Sequence, residues 1–205
     1  VASTERPDII VSKLLEGRVA ILVEGSPIAL YTPALFSDNF QTPDDYNIPP
    51  FYSGFIRTLR YFSFVLSIFL PGVYVAIGTF HQELIPTSML FTIAREEITT
   101  PYSLMTEALM LLILYEIMRE AGLRLPKAVG HAVSIIGGIV IGETTVSAGL
   151  IGAPMLVVIA LTAISSYVVS SLYESVSVLR FFFILIGGLT GMYGIILAAS
   201  VLCMN

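Results

Sequence analysis

Apolar and polar positions divide the chain into two regimes. Before residue 50 they alternate on short periods. Ile9, Ile10, Lys13 and Leu14 recur at helical spacing after Thr4, which could cap a helix whose early Pro7 needs no backbone donor, and Gly17 marks its stop. Arg18 to Val23 is β-prone, residues 24–27 read as a turn, and Ile28 to Tyr31 returns as a second strand. Asp38 to Pro50, rich in Pro, Asp and Asn, reads as a loop. The expectation is that residues 1–54 are the end of a soluble α/β domain plus a linker, and residues 55–205 a transmembrane helical domain.

Beyond residue 55 the apolar runs lengthen. Tyr61 to Phe80 is 20 residues without a charge, enough to span about 30 Å as a helix, with Pro71-Gly72 expected to kink it. His81 to Pro101 reads as a polar connection. Ser103 to Gly122 is long enough to cross a membrane but carries Glu107, Glu116, Arg119 and Glu120. Val129 to Gly142 is apolar apart from His131. Thirty uncharged residues separate Glu143 from Glu174, with a span expected near Pro154 to Val169. Phe181 to Asn205 is a last uncharged run of 25 residues. The fold class expected is mainly α, a polytopic helical membrane protein of about five spans.

Composition supports this. Of 205 residues 56% are hydrophobic and 12% charged, with mean hydropathy +0.87, against about a quarter charged in soluble domains. The net charge of −5 says little about partners, since most of the chain is expected away from water. With the N-terminal part cytoplasmic and five crossings, every Lys and Arg except Arg95 falls on the cytoplasmic side, Arg180 included, before the fifth span. One cysteine, Cys203, excludes an internal disulfide and a cysteine-based metal cluster. The first 20 residues are not basic-then-apolar, so no signal peptide is read. The abrupt ends suggest a piece of a longer protein.

No catalytic constellation emerges. His81-Gln-Glu83 lacks the second His of a zinc helix, no Gly-x-Ser-x-Gly elbow or phosphate-binding Gly-Lys loop is present, and no basic patch suggests nucleic acid. No cofactor, metal or enzymatic activity is expected. The chemistry lies in the intramembrane carboxylates, because an ionisable group at mid-bilayer costs roughly 2.5–3.5 kcal/mol unless it faces a bundle interior or water. Glu107 and Glu116, nine residues apart, lie on opposite faces of one helix; Glu116, Arg119 and Glu120 share a face. Glu116 is the first candidate for an ion pathway. Arg119 and Glu120 also fit a helix end reaching headgroups, Glu107 a favourable charge at a helix N-terminus, and Glu143 either an interfacial residue or a charged ring at a pore mouth. His131 and Glu143, twelve apart, are not a relay pair. Gly138 with Gly142, and Gly187 with Gly191, have the four-residue spacing of helix-packing faces, alongside ordinary membrane glycine enrichment.

Five ordered blocks carry a family resemblance. They are Glu5-Arg-Pro-Asp8, residues 13–23 (KLLEGRVAILV), residues 80–87 (FHQELIPT), residues 116–126 (EIMREAGLRLP) and residues 130–137 (GHAVSIIG). Together they make the chain resemble the A subunits of spore germinant receptors, the GerA family. The resemblance implies the second half of an A subunit in the inner membrane of a bacterial endospore. It implies a transporter-like B subunit and a lipoprotein C subunit as partners, and a homo-oligomeric ring, pentameric in the family, that conducts ions once a nutrient triggers germination. The chain departs from the family pattern at Leu112, His131, Glu143, Ser147 and Ser170. A gated cation channel subunit is the leading functional expectation; a secondary transporter or a membrane scaffold is the alternative.

Overall fold

The computed structural model describes residues 1–126, 137–138, 140 and 142–204. His131 and most of the expected third span, Val129 to Gly142, lie outside the described residues. The chain forms two compact units, residues 1–63 with 169–172, and residues 64–168 with 173–205.

In the first unit a three-stranded antiparallel sheet has the order β1 (Ala2–Thr4), β3 (Ala29–Thr32), β2 (Val19–Ile21). Ala2 pairs with Tyr31, and Tyr31 with Ala20. Helix α1 (Pro7–Leu15) packs Ile10 against Ala29 and Tyr31, a small core flanked by Ala2, Ile9, Ala20 and Ala34. Pro near its start costs no hydrogen bond, and the helix ends where Gly17, at φ 81°, lets Arg18 donate to the Lys13 carbonyl. Thr4 does not cap this helix. It lies in β1, its hydroxyl accepts from the Arg6 N–H, and Arg6 holds the cap position with no side-chain hydrogen bond.

The stretch expected as a loop contains two short 3-10 turns, Phe36–Phe40 and Pro43–Tyr46. Aspartate chemistry winds both. Asp38 accepts from the Leu35 N–H at 2.8 Å and Asp45 from the Thr42 N–H at 3.1 Å, each satisfying a donor at the start of its turn. The same carboxylates gather cations: Lys13 and Arg18 meet on Asp38, and Arg57 and Arg60 on Asp45. Burial pushes the Asp38 carboxyl up, but hydrogen bonds from Arg18, the Leu35 N–H and Lys13 prevail and hold it below its ordinary range. At Asp45 the Arg60 hydrogen bonds lead, outweigh burial, and hold the carboxyl far below that range. Phe40 stacks on Tyr61, ring centroids 4.1 Å apart, while Arg60 donates to the Phe40 carbonyl at 2.9 Å. The start of helix α2 is thereby clamped to residues 36–46. That helix begins at Pro50, earlier than the apolar run implies, and continues to Phe80 through Pro71.

The second unit is helical. Helix α3 (Thr87–Thr99) replaces the expected polar connection. Helix α4 (Leu104–Arg124) is capped by Ser103, whose hydroxyl accepts from the Thr106 N–H. Residues 142–147 are helical, followed by α5 (Ala153–Val168) and α6 (Tyr173–Met204). Val75, Leu104, Ala108, Leu111, Leu112, Ile151, Met155, Ile159 and Ile184 make the core, with α4 packed on both α5 and α6. Among the described residues two helical runs are long and apolar enough to cross a membrane, Pro50–Phe80 and Ser170–Met204; α5 is apolar but shorter, at 16 residues.

The last apolar run is not one unbroken helix. Gly191, at φ 68° and ψ −156°, interrupts α6, and a Cβ there would lie 3.1 Å from both Phe80 and His81 side chains. Further up α6, Gly187 meets α2 backbone to backbone. A Cβ on Gly187 would overlap the Gly72 carbonyl oxygen, and one on Gly72 would lie 2.7 Å from the Phe183 carbonyl oxygen. Gly142 faces Leu156 of α5, its added Cβ 3.5 Å away, and Gly138 is exposed, near Met118.

Candidate functional site

The densest chemistry in the second unit surrounds Glu116, three turns along α4. Its carboxylate is half-buried and accepts from two hydroxyls of α6. The Tyr173 hydroxyl lies 2.9 Å from Oε1 and 3.0 Å from Oε2, and the Ser177 hydroxyl 2.5 Å from Oε1. Tyr173, Ser177 and Arg180 occupy one face of α6 because they stand four and then three residues apart. Arg119, one turn after Glu116, places its guanidinium 3.2 Å from the centre of the Tyr173 ring. The site thus holds an anion and a cation on one helix face, bridged by one phenol.

Arg180 closes the cluster from below. It is fully buried, and its Nε donates to the Ser67 carbonyl of α2 at 2.9 Å. Its Nη1 and Nη2 have no hydrogen-bond partner among the described residues, and the polar groups acting on it are Tyr173, Tyr115 and Glu116. Arg180 lies within α6 rather than ahead of it, and its side chain is enclosed by helices. The Tyr115 hydroxyl is likewise buried without a hydrogen bond, beside Ser166 and Tyr167 of α5 and Tyr173. Ser166 instead donates to the Ala163 carbonyl within its own helix.

The other expected carboxylates are dispersed. Glu120 is exposed and pairs with Arg124, one turn on, at 2.7 Å; it does not join Glu116 and Arg119. Glu143 is exposed. Glu107, in the first turn of α4, is 1% exposed, and its Oε2 accepts from the Gly152 N–H at 3.1 Å. Residues absent from the sequence reading, namely Tyr115, Tyr173, Ser177 and Ser67, complete the Glu116 cluster. Tyr and Ser attract no notice in a membrane-type sequence; the signal available was the helical spacing of Tyr173, Ser177 and Arg180.

The sequence matches known proteins over nearly its whole length. Spore germination protein KA of Bacillus subtilis (strain 168) is 46% identical over 201 residues, covering 95% of this chain and 36% of that protein. Spore germination protein GerQA of Bacillus cereus is 41% identical over 202 residues, 98% of this chain and 40% of that protein. Spore germination protein GerLA of Bacillus cereus is 40% identical over 205 residues, 99% of this chain and 42% of that protein. The chain therefore spans about two fifths of the length of these relatives. No solved structure matches it. The family model described as Bacillus/Clostridium GerA spore germination protein matches residues 1–205, and the chain belongs to that family.

Proposed function

We propose that the chain is the membrane half of an A-type germinant receptor subunit, and that several copies form a ligand-gated cation channel in the inner membrane of the spore. The observation that carries this reading is Glu116: a carboxylate in an apolar helical unit, held by the hydroxyls of Tyr173 and Ser177 and flanked by Arg119. A carboxylate held ready by hydroxyls, repeated around an oligomer axis, favours cations. One copy offers few spans for a pore of its own, so the conduction path forms between copies. Glu143 would add charge near the other end, with Gly138, Gly142, Gly187 and Gly191 as packing faces. The receptor's transporter-like B subunit and lipoprotein C subunit would be the partners, as the family relation suggests. Residues 1–54 would end the cytoplasmic domain, and residues 55–205 would form the membrane domain.

Flux through the assembled receptor in liposomes tests this. Glu116→Gln is expected to change cation flux or selectivity several-fold while the oligomer persists; unchanged conductance overturns the pore role. One observation favours a transporter instead. Gly191 breaks α6 within an apolar run, and interrupted helices line the substrate sites of secondary transporters. A monomer showing saturable uptake would select that reading, and a ring with ohmic conductance the channel.

A further inference from the structure

Around Glu116 three buried atoms stand idle: Nη1 and Nη2 of Arg180 and the Tyr115 hydroxyl have no hydrogen-bond partner among the described residues. Buried polar groups of a native fold are nearly always paired, and an unpaired charge is the costliest exception. Glu116, by contrast, accepts from the hydroxyls of Tyr173 and Ser177. Ser177 and Arg180 are neighbours on one face of α6, and the Ser177 hydroxyl lies 2.5 Å from Glu116 Oε1. A guanidinium turned along that face meets the same carboxylate.

A second arrangement of the same side chains satisfies all three idle atoms. Arg180 donates both terminal nitrogens to Glu116, a two-pronged pairing that suits guanidinium and carboxylate. The Tyr173 hydroxyl, released, turns to the Tyr115 hydroxyl beside it. Ser177 donates to a carbonyl of its own helix, as Ser67, Ser166 and Ser200 do. What is lost is the 2.9 Å hydrogen bond from Arg180 to the Ser67 carbonyl of α2. Each arrangement makes hydrogen bonds that the other breaks, so small shifts of α2 or α4 against α6 bias the choice. We infer that Arg180 is a tethered counter-ion of Glu116, exchanging the Ser67 carbonyl of α2 for the Glu116 carboxylate of α4, and that this pairing closes Glu116 to cations. The closure rests on the channel reading of Glu116; the pairing stands without it.

A double-mutant cycle on thermal unfolding of the full-length protein in lipid nanodiscs tests the pairing. With Arg180 present, Glu116 keeps a partner when the two hydroxyls are removed. Tyr173→Phe with Ser177→Ala is therefore expected to lower Tm at least about twice as far in the Arg180→Met background as in the wild type. Equal drops in the two backgrounds overturn the pairing. Arg180→Gln, uncharged but still a donor, replaces Arg180→Met if that variant does not fold. K⁺ efflux from liposomes holding the assembled receptor, with no nutrient added, tests the closure. Arg180→Met is expected to raise it several-fold, and Arg180→Lys, which keeps the charge, to raise it less. Unchanged efflux in Arg180→Met, where Glu116→Gln does alter flux, overturns the closure. Unequal Tm drops with flux indifferent to Glu116→Gln overturn the channel reading and leave the pairing in place.

Discussion

A guanidinium removed from water loses several kcal/mol of hydration, and Arg180 recovers part of it through a single hydrogen bond to the Ser67 carbonyl. Among the described residues its two terminal nitrogens have no hydrogen-bond partner, while Glu116, the carboxylate acting on it, accepts from Tyr173 and Ser177. Such an arrangement stabilises little. Arg180→Met, similar in length and apolar, is therefore expected to leave stability in detergent within about 1–2 kcal/mol of wild type, or to raise it, while altering receptor-dependent flux. A collapse of the fold on thermal unfolding would contradict this. Tyr173→Phe acts the other way. It strips one of two hydroxyl donors from a half-buried carboxylate and should cost about 1–3 kcal/mol, read by the same unfolding assay. Glu116 was legible in the sequence because a charge in an apolar run is conspicuous. Its partners were not, because they lie 57 and 61 residues away and only packing brings them to α4.

At the level of elements, helix contact is governed by the absence of side chains. Gly187→Ala would drive a methyl group into the Gly72 carbonyl, and no rotamer change relieves a clash with backbone. A loss of at least about 1–3 kcal/mol is expected from the forced separation. Gly54→Ala, in the same α2 but with nothing within 4 Å, should stabilise by about 0.5–1 kcal/mol; denaturant midpoints in detergent compare the two. Around Asp45 the governing force is charge. Its carboxyl titrates lower in the folded state than in the unfolded chain, so its contribution is complete above about pH 4 and fades as the pH falls toward the folded value. Protection factors for amide exchange over residues 36–63 are expected to fall on acidification below about pH 4, and Asp45→Asn should flatten that dependence. Periodicity made α1 and the β2–β3 hairpin legible. It missed β1, whose three residues are too few to show alternation, and α3, whose polar composition hides a helix of 13 residues. The 3-10 turns escaped because Pro and Asp signal a loop until the aspartate carboxylates are seen on their N–H donors.

For the whole molecule, topology decides whether Glu116 belongs to a pore. Five crossings would put every Lys and Arg except Arg95 on one side, with Arg180 ahead of the last span; Arg180 stands instead within α6, enclosed by helices. Arg57 and Arg60 stand in the first turns of α2, and Arg124 at the end of α4. Arg124 is exposed and paired with Glu120, as a helix end at a polar boundary would be. Helix α4, at 21 residues, is long enough to cross at 1.5 Å per residue. Its charges are the obstacle, and the structure removes much of it: Glu107 is enclosed with one oxygen bonded, and Glu116 is satisfied by α6. Insertion of α4 would therefore depend on α6 being present to receive Glu116. Reporter fusions at residues 90 and 125 are expected to fall on opposite sides of the membrane in the full chain. Removing the chain from residue 173 onward should lower the fraction in which they do. If both reporters share a side in the full chain, α4 does not cross, and Glu116 has no place in a transmembrane path.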